Sequence, residues 1–469
     1  VETWRRRLAA GGLVEHALRA RADIYRDAAR AAAESGAPAE ALAFAGLLQA
    51  RLLDERDARR EGPLAEAPSA ELERLRERVG ELELVRTPEG AAELARASEE
   101  LERALLAQGL DAKRILSDGA GTLSLEDLHA GMAAQGLDVA LVYIVGTRVS
   151  LVLRIEAGPK SSLSTHSIAL TRAELAAAMA RLRAPLERLE AGELDLAHLP
   201  FDVELARRLH ALLVEPLDLA PGTRVALLLD GDLQALPFEM LVSGGAPGRF
   251  DPARAGAHLA GVDFLGETQA FVRVASLARL ARPRSARTGE TVVVLPPAAL
   301  GVPRASADLV PGARRVADAG VANLTSELAR SARVHIAAHG HLDPARPAHG
   351  WLLLGGDDAR GAPFEAWRAA ELPLDGLEVV LAACHTGRGE WHEGAGLAGL
   401  LGGFLAGGAR EVVASQWAVD DRASARFLTL YHAERARGTD AAEALRRARV
   451  ALRPEFPHPF AWAAWFVQR

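Results

Sequence analysis

The stretch "VHIAAHGHLD" (334–343) sets His335, His339 and His341 within seven positions, and roughly 45 residues further on "LEVVLAACHTGRGE" runs into the chain's single cysteine, Cys384. Three histidines so close can hold a metal, pack into a core, or move protons for a nucleophile. A zinc site needs its ligands to converge at about 2 Å from one point. But "VHIAA" is a short apolar run with β-branched residues, which favours a strand. On a strand, positions four apart lie roughly 13 Å apart, so His335 and His339 do not share an ion. Nor is "WHEGAG" (391–396) the HExxH pattern, since position 396 is Gly. No metal and no other cofactor is expected. His335, in mid-run, reads as a packed strand residue. His339 ends the run and precedes Gly340, where a backbone turns tightly or approaches a ligand closely. The C-terminal ends of strands are also where open parallel sheets carry their sites. His341, His349, His385 and His392 read as solvated loop histidines.

A thiol and an imidazole at the ends of two neighbouring strands form a nucleophile and its proton acceptor. The backbone N–H groups of Gly340 and Cys384 would then face a developing oxyanion, at on the order of 3 kcal/mol for each pre-set donor. A lone cysteine is also commonly a buried structural residue, and that reading stays open here. Competing signatures are absent: the chain contains neither GxSxG nor GxxxxGK[ST].

The elements that must position these residues follow from the pattern along the chain. With 469 residues, 49% hydrophobic and 25% charged, there is room for two or three ordinary globular domains. A net charge of -7 gives no reason to expect nucleic acid or an anionic membrane as a partner. The most apolar stretch, "LAGLLGGFLAGGA" (397–409), is too short to span a bilayer. The N-terminus lacks the apolar core of a secretory signal. One cysteine excludes internal disulfides and points to a reducing, cytoplasmic setting.

Residues 1–110 read as helical. "VEHALRARADIYRDAARAAAES" and "AEALAFAGLLQARLLDERDARR" carry apolar positions at three-to-four spacing, with "GAP" between them. That is a helical hairpin similar to one tetratricopeptide-type unit, without a clean 34-residue recurrence. Residues 111–283 form a first α/β domain, with two β-runs around the Gly-Thr turn in "DVALVYIVGTRVSLVLRIEAG" and a buried strand ending in "DGDL". "RFDPARAGAHLAGVDFLG" reads as a surface loop, and the breaker-rich "ARPRSARTGE" (281–290) closes the domain. Residues 284–469 alternate strand and helix: "TVVVLPP", "RVHIAA", "WLLLGG", "LEVVLAA", "REVVASQ" and "AWAAWFVQ" as strands, "GLAGLLGGFLAGG", "DRASARFLTLYHAERARG" and "DAAEALRRARVALR" as helices. Such alternation predicts an α/β fold: a mostly parallel sheet with helices on both faces.

Several motifs in order resemble the CHAT proteases, caspase-like domains found beside tetratricopeptide repeats and grouped with caspases, gingipains and separases. The resemblance runs from about residue 36. "ALAFAGLLQARLLDE" is similar to the helix before that domain. "LDVALVYIVGTRVSLVLRIEAG" and "LLLDGDLQALPFEML" look like its non-catalytic half. "VHIAAHG", "LAACHTG", "EGAGLAGLLGGFLAGGAREVVASQWAVDD" and "HPFAWAAWFV" look like its catalytic half. The resemblance implies a pseudo-catalytic α/β half over 111–283 and a catalytic caspase-like half over 284–469. His339 corresponds to the base and Cys384 to the nucleophile, with the amides of Gly340 and Cys384 as oxyanion donors.

"SQWAVDD" resembles the segment that lies along the substrate, which places Ser415, Gln416, Trp417, Asp420 and Asp421 at the binding groove. An extended peptide would add there by main-chain hydrogen bonds, with Trp417 as a flat wall. A carboxylate at the pocket base favours Arg before the cut, and the separase resemblance makes Asp421 the first candidate and Asp420 the second. Either aspartate equally suits a cap on the helix that follows. A preference for Asp would instead need an arginine, Arg388 or Arg422. The implied activity is a cysteine endopeptidase that cleaves a partner protein in bacterial defence or regulated death, with a regulatory protein docking on residues 1–110. Two other classes stand beside it: a catalytically silent scaffold whose helical region binds partners, and a zinc-dependent hydrolase. The helical region also suits a plain cap over the first α/β domain.

Overall fold

The computed structural model describes residues 11–48 and 123–469, apart from 159–161, 191, 195–198, 252–255, 303–308, 342–349, 357–359, 383–390, 393–395 and 398, together with a few positions between 74 and 100. Its strands are, in chain order, β1 (Val139–Ile144), β2 (Ser150–Glu156), β3 (Ser162–Ile168), β4 (Arg224–Leu228), β5 (Val242–Gly245), β6 (Val262–Phe264), β7 (Ala270–Arg273), β8 (Thr291–Val294) and β9 (Arg314–Val316). They continue with β10 (Arg333–Ala337), β11 (His339–His341), β12 (Trp351–Leu354), β13 (Ala362–Glu365), β14 (Glu378–Ala382), β15 (Trp391–His392), β16 (Gly396–Leu397), β17 (Glu411–Ser415) and β18 (Trp465–Gln468).

Eleven of these strands form one sheet in the order β3-β2-β1-β4-β7-β18-β17-β14-β10-β8-β9. Most neighbours run parallel; β2 and β3 at one edge and the β17–β18 pair are antiparallel. The expected boundary near 283 falls between β7 and β8, which are far apart in the sheet. The last strand, β18, enters between β7 and β17 and joins the two halves.

Side chains alternate across this sheet with period two, as strands require. Val334 and Ile336 of β10 and Val379 and Leu381 of β14 join Leu324, Leu328, Phe404 and Leu405 on one face. Ala337, Val380 and Val413 face Phe427, Leu428 and Tyr431 on the other. The helices Val321–Arg330, Ala366–Glu371 and Leu400–Ala406 thus cover one side, and Asp421–Ala436 and Ala441–Leu452 the other. The glycines of "LLGGFLAGG" have a packing reason. A Cβ at Gly403 would overlap the Ala366 carbonyl oxygen, so only glycine lets these two helices meet this closely. No helix among the described residues is long and apolar enough to cross a membrane.

At the N-terminus, the helices Gly11–Glu34 and Pro38–Gly46 form the expected hairpin, broken at Ser35–Ala37, where Gly36 takes a φ of +73°. Ala22, Tyr25, Ala29, Ala41 and Ala45 belong to the same core as β1 and β4, so this hairpin packs onto the first half. A charged clasp accompanies the apolar contact. Arg26 meets Asp230 in a fork, Nε to Oδ2 at 2.8 Å and Nη2 to Oδ1 at 2.6 Å, with side chains 3% and 6% exposed. Asp230 also accepts the Val145 backbone N–H at 2.8 Å. Arg26→Ala leaves that carboxylate buried without its countercharge and is expected to cost about 3–5 kcal/mol, measured by urea unfolding. Replacing both partners by neutral residues should cost far less; equal losses would place the effect in packing alone.

Three elements differ from the sequence reading or were not covered by it. "SLSTHSI" forms β3, an edge strand paired along its whole length with β2, although its polar side chains show no apolar alternation. "RFDPARAGAHLAGVDFLG" is not simply a surface loop. It contains β6, paired with β5, and runs into the short helix Leu265–Thr268, with Val262 and Phe264 fully buried; a three-residue strand is too short to announce itself by period. The described part of "GLAGLLGGFLAGG" is a helix only over Leu400–Ala406.

Candidate active site

Strands β10 and β14 are adjacent and parallel, with Ala337 opposite Ala382. Both are β-rich apolar runs buried on two faces, which fixes their register strongly. His339 stands two residues past Ala337 and is exposed. It opens β11, which leaves the main sheet for a three-stranded sheet with β12 and β13, pairing His339 with Leu353, Gly340 with Leu352 and His341 with Trp351. Gly340 therefore continues a strand and is not among the glycines with positive φ; it makes no tight turn. The turn after β8 lies beside the imidazole: a Cβ on Gly301 would stand 3.8 Å from His339 Nε2. Cys384, two residues after Ala382, lies outside the described residues, as do His349, His385 and Arg388.

His341 is not in a loop but in β11, where its ring stacks on Trp351 with centroids 5.0 Å apart. His392 ends β15. His335 is fully buried, as a packed strand histidine should be, and its Nδ1 lies 3.0 Å from Nε2 of His432 on the helix Asp421–Ala436. With His335 sealed inside the fold and His339 exposed, the two do not converge on one point.

The buried pair gives a pH signature. Burial holds the His335 imidazole down to about 4 and pushes His432 well below its ordinary range, with the Arg333 and Arg435 guanidiniums adding to the latter. Because the folded state favours the neutral rings, stability is intact above about 6.5 and is lost as pH falls from there towards 4. The loss from His335 is on the order of 3 kcal/mol. Urea unfolding from pH 7.5 to 5 should show this decline, and His335→Leu/His432→Leu should flatten it. An unchanged slope in that double variant would assign the acid sensitivity to other groups.

The segment expected to lie along the substrate follows β17. Ser415 and Gln416 are buried. Gln416 N–H donates to the Ala464 carbonyl at 3.0 Å, and its Nε2 donates to the Gln234 carbonyl at 3.0 Å. Strand β17 is flanked by β14 and β18, so no peptide adds along it. Only the stretch beyond its end remains for that role. Trp417 is 3% exposed, donates its indole N–H to the Phe460 carbonyl at 2.9 Å and meets the Phe460 ring edge-on. It is a buried support rather than an open wall, and it lines a cavity of about 430 Å³ together with Val419, Asp420, Phe456 and Leu186. Asp420 caps the helix Asp421–Ala436 by accepting the Ala423 N–H at 3.0 Å. Asp421 is exposed in the first turn and has no hydrogen-bond partner among the described residues. Arg422 is drawn to Glu455 at 3.1 Å.

Sequence reasoning had no signal for what braces the other end of these strands. Glu378 at the start of β14 receives Arg333 at 2.6 Å, Arg410 at 2.7 Å and Arg435. Although burial opposes its charge, Arg435 and Arg333 hold its carboxyl down to about 2. Glu411 at the start of β17 receives Arg435 at 3.3 Å and Arg469 at 2.9 Å.

With this arrangement, residues 203–468 match the family described as CHAT domain, and the chain belongs to that family. The match begins after the N-terminal helices, which it does not cover. No curated protein matches the chain by sequence. Among solved structures it is similar to the Saccharomyces cerevisiae separase-securin complex, at 12% identity over 85% of this chain and 27% of that one, with a TM-score of 0.35. It is also similar to the Arg-specific cysteine proteinase gingipain R, at 11% identity over 57% of this chain and 66% of that one, TM-score 0.35. A complex of Porphyromonas gingivalis RgpB pro- and mature domains follows at 12% identity over 58% and 70%, TM-score 0.34. This chain spans only about a quarter of the length of the separase chain.

Proposed function

We propose that this protein is a cysteine endopeptidase in which Cys384 is the nucleophile and His339 its proton acceptor and donor. The observation that carries the reading is the register of β10 on β14. Ala337 pairs with Ala382, and each candidate residue follows its alanine by two positions. Two residues of chain reach at most about 7 Å, and the two alanines they follow lie side by side on adjacent strands. In the reaction, the Cys384 sulfur bonds to the scissile carbonyl carbon and the carbonyl π pair moves onto oxygen, facing the amides of Gly340 and Cys384. His339 takes the thiol proton and delivers it to the leaving amine. Water then cleaves the thioester, its proton again passing through His339.

The substrate is a protein segment, with Arg before the cut held by Asp421 while Asp420 keeps its capping role. The residue types need no cofactor. A bacterial defence or regulated-death setting follows from the family resemblance, and a regulator docking on residues 1–110 remains part of the proposal. Incubation with a peptide library, read by mass spectrometry, tests the reading against the silent-scaffold and metal-hydrolase alternatives. Cleavage should stop on thiol alkylation and survive chelation. No turnover, or turnover lost to a chelator alone, overturns it.

A further inference from the structure

At the end of the sheet where β14 and β17 begin, away from His339, a cavity of about 350 Å³ opens between the helix Leu125–Ala134, the segment Arg282–Ala286 that joins the halves, and the residues flanking β17 and β18. Five arginines line it: Arg279, Arg282, Arg284, Arg410 and Arg469. No Asp or Glu stands among the described lining residues, in a chain whose net charge is -7.

Most of these guanidiniums are already held in place. Arg279 donates to the Leu405 carbonyl at 2.8 Å, and Arg284 pairs with Asp375 at 2.8 Å. Arg410 and Arg469 lean on Glu378 and Glu411, but Arg333 and Arg435 draw on the same two carboxylates. Four guanidiniums thus share two carboxylates. Arg282 is exposed, with Asp127 of the helix Leu125–Ala134 as an acidic neighbour. The result is an excess of positive charge around a recess, and self-repulsion there is relieved by an anion.

A guanidinium carries five N–H donors, of which one carboxylate takes at most two, so Arg410 and Arg469 keep donors for a second acceptor beyond Glu378 and Glu411. Their planar fork matches phosphate oxygens bidentately, and their anchoring lowers the ordering cost of binding. Ligand pockets begin at roughly 300 Å³, which suits a compact phosphorylated molecule. We propose that this cavity binds a multivalent phosphate, a nucleotide or short polyphosphate, and that the ligand bridges the joining segment (Arg282, Arg284) to the second half's strands (Arg410, Arg469).

The test is thermal unfolding of the full chain titrated with tripolyphosphate, and separately with ATP, at ionic strength held constant with sodium chloride. A saturable rise in Tm is expected, about 3 °C at a hundredfold excess over Kd for a chain of this size. Arg282→Glu, an exposed position, and Arg284→Gln should each raise the half-saturating concentration about tenfold. Tighter binding of ATP than of tripolyphosphate would identify a nucleotide, and the converse an inorganic chain; either supports the site. A rise that never saturates, one unchanged in both variants, or one given by duplex DNA or anionic vesicles but not by tripolyphosphate overturns it. Peptide cleavage is not read in this experiment, so its outcome is independent of the peptidase proposal.

Discussion

Cys384→Ala and His339→Ala are each expected to abolish peptide cleavage, with kcat/KM falling by on the order of 10⁴-fold or more, as for other nucleophile–base pairs that act as one unit. The double variant should be little worse than either single one, because once the thiolate cannot form, the missing base has nothing left to do. Folding should survive. His339 is exposed beyond the end of β10, and the core ends at Ala337 and Ala338. Circular dichroism melts alongside steady-state kinetics check both halves of the statement. Full activity in Cys384→Ala sinks the cysteine mechanism. Additive losses in the double variant would mean that the two residues act in separate steps.

What the sequence made legible is local, and what it hid is non-local. "RVHIAA", "LEVVLAA" and "REVVASQ" are short, apolar and doubly buried, so their strand character is written in adjacent residues, and β10, β14 and β17 fall within them. Their order across the sheet is not written there. Nothing near 465–468 signals that β18 slots between β7 and β17 to fuse the halves. Burial of charge is hidden in the same way. Nothing local marks Arg273 in β7 as buried, yet it is, donating to the Gln234 carbonyl at 2.7 Å and lying 4.3 Å over the Phe466 ring. Glu378 and Glu411 look like polar strand flanks and are instead buried anchors for four arginines. The burial of His335 followed from its mid-strand place, whereas its partner His432 stands 97 positions away and is invisible to any local pattern. Asp230 is the same case: "DGDL" reads as a strand end, and only the fold brings Arg26 to it.

Peptides with Arg before the scissile bond are expected to be cleaved roughly 50-fold faster than matched peptides with Leu or Asp there, the size of one charge-assisted pair of about 2–3 kcal/mol. Lys should fall between, since a point charge does not use both carboxylate oxygens. Under the proposed function the two aspartates after β17 divide the work. Asp420 is committed to the Ala423 N–H, and Asp420→Ala should cost about 1 kcal/mol of stability while leaving the preference for Arg in place. Asp421, exposed one position later, is the carboxylate with nothing else to hold among the described residues, so Asp421→Ala should erase the preference with little change in Tm. A substrate guanidinium that displaces water from Asp421 turns a screened surface charge into a desolvated pair, which is what raises its worth above that of an ordinary surface ion pair. Arg422 is drawn to Glu455 and is poorly placed to take a substrate aspartate. The measurement is kcat/KM on peptides that differ at that one residue, for the wild type and both variants. Selectivity for Asp or an apolar residue in the wild type ends the assignment, and loss of Arg selectivity in Asp420→Ala alone moves it one residue back, to a carboxylate that would then have to give up its cap to bind.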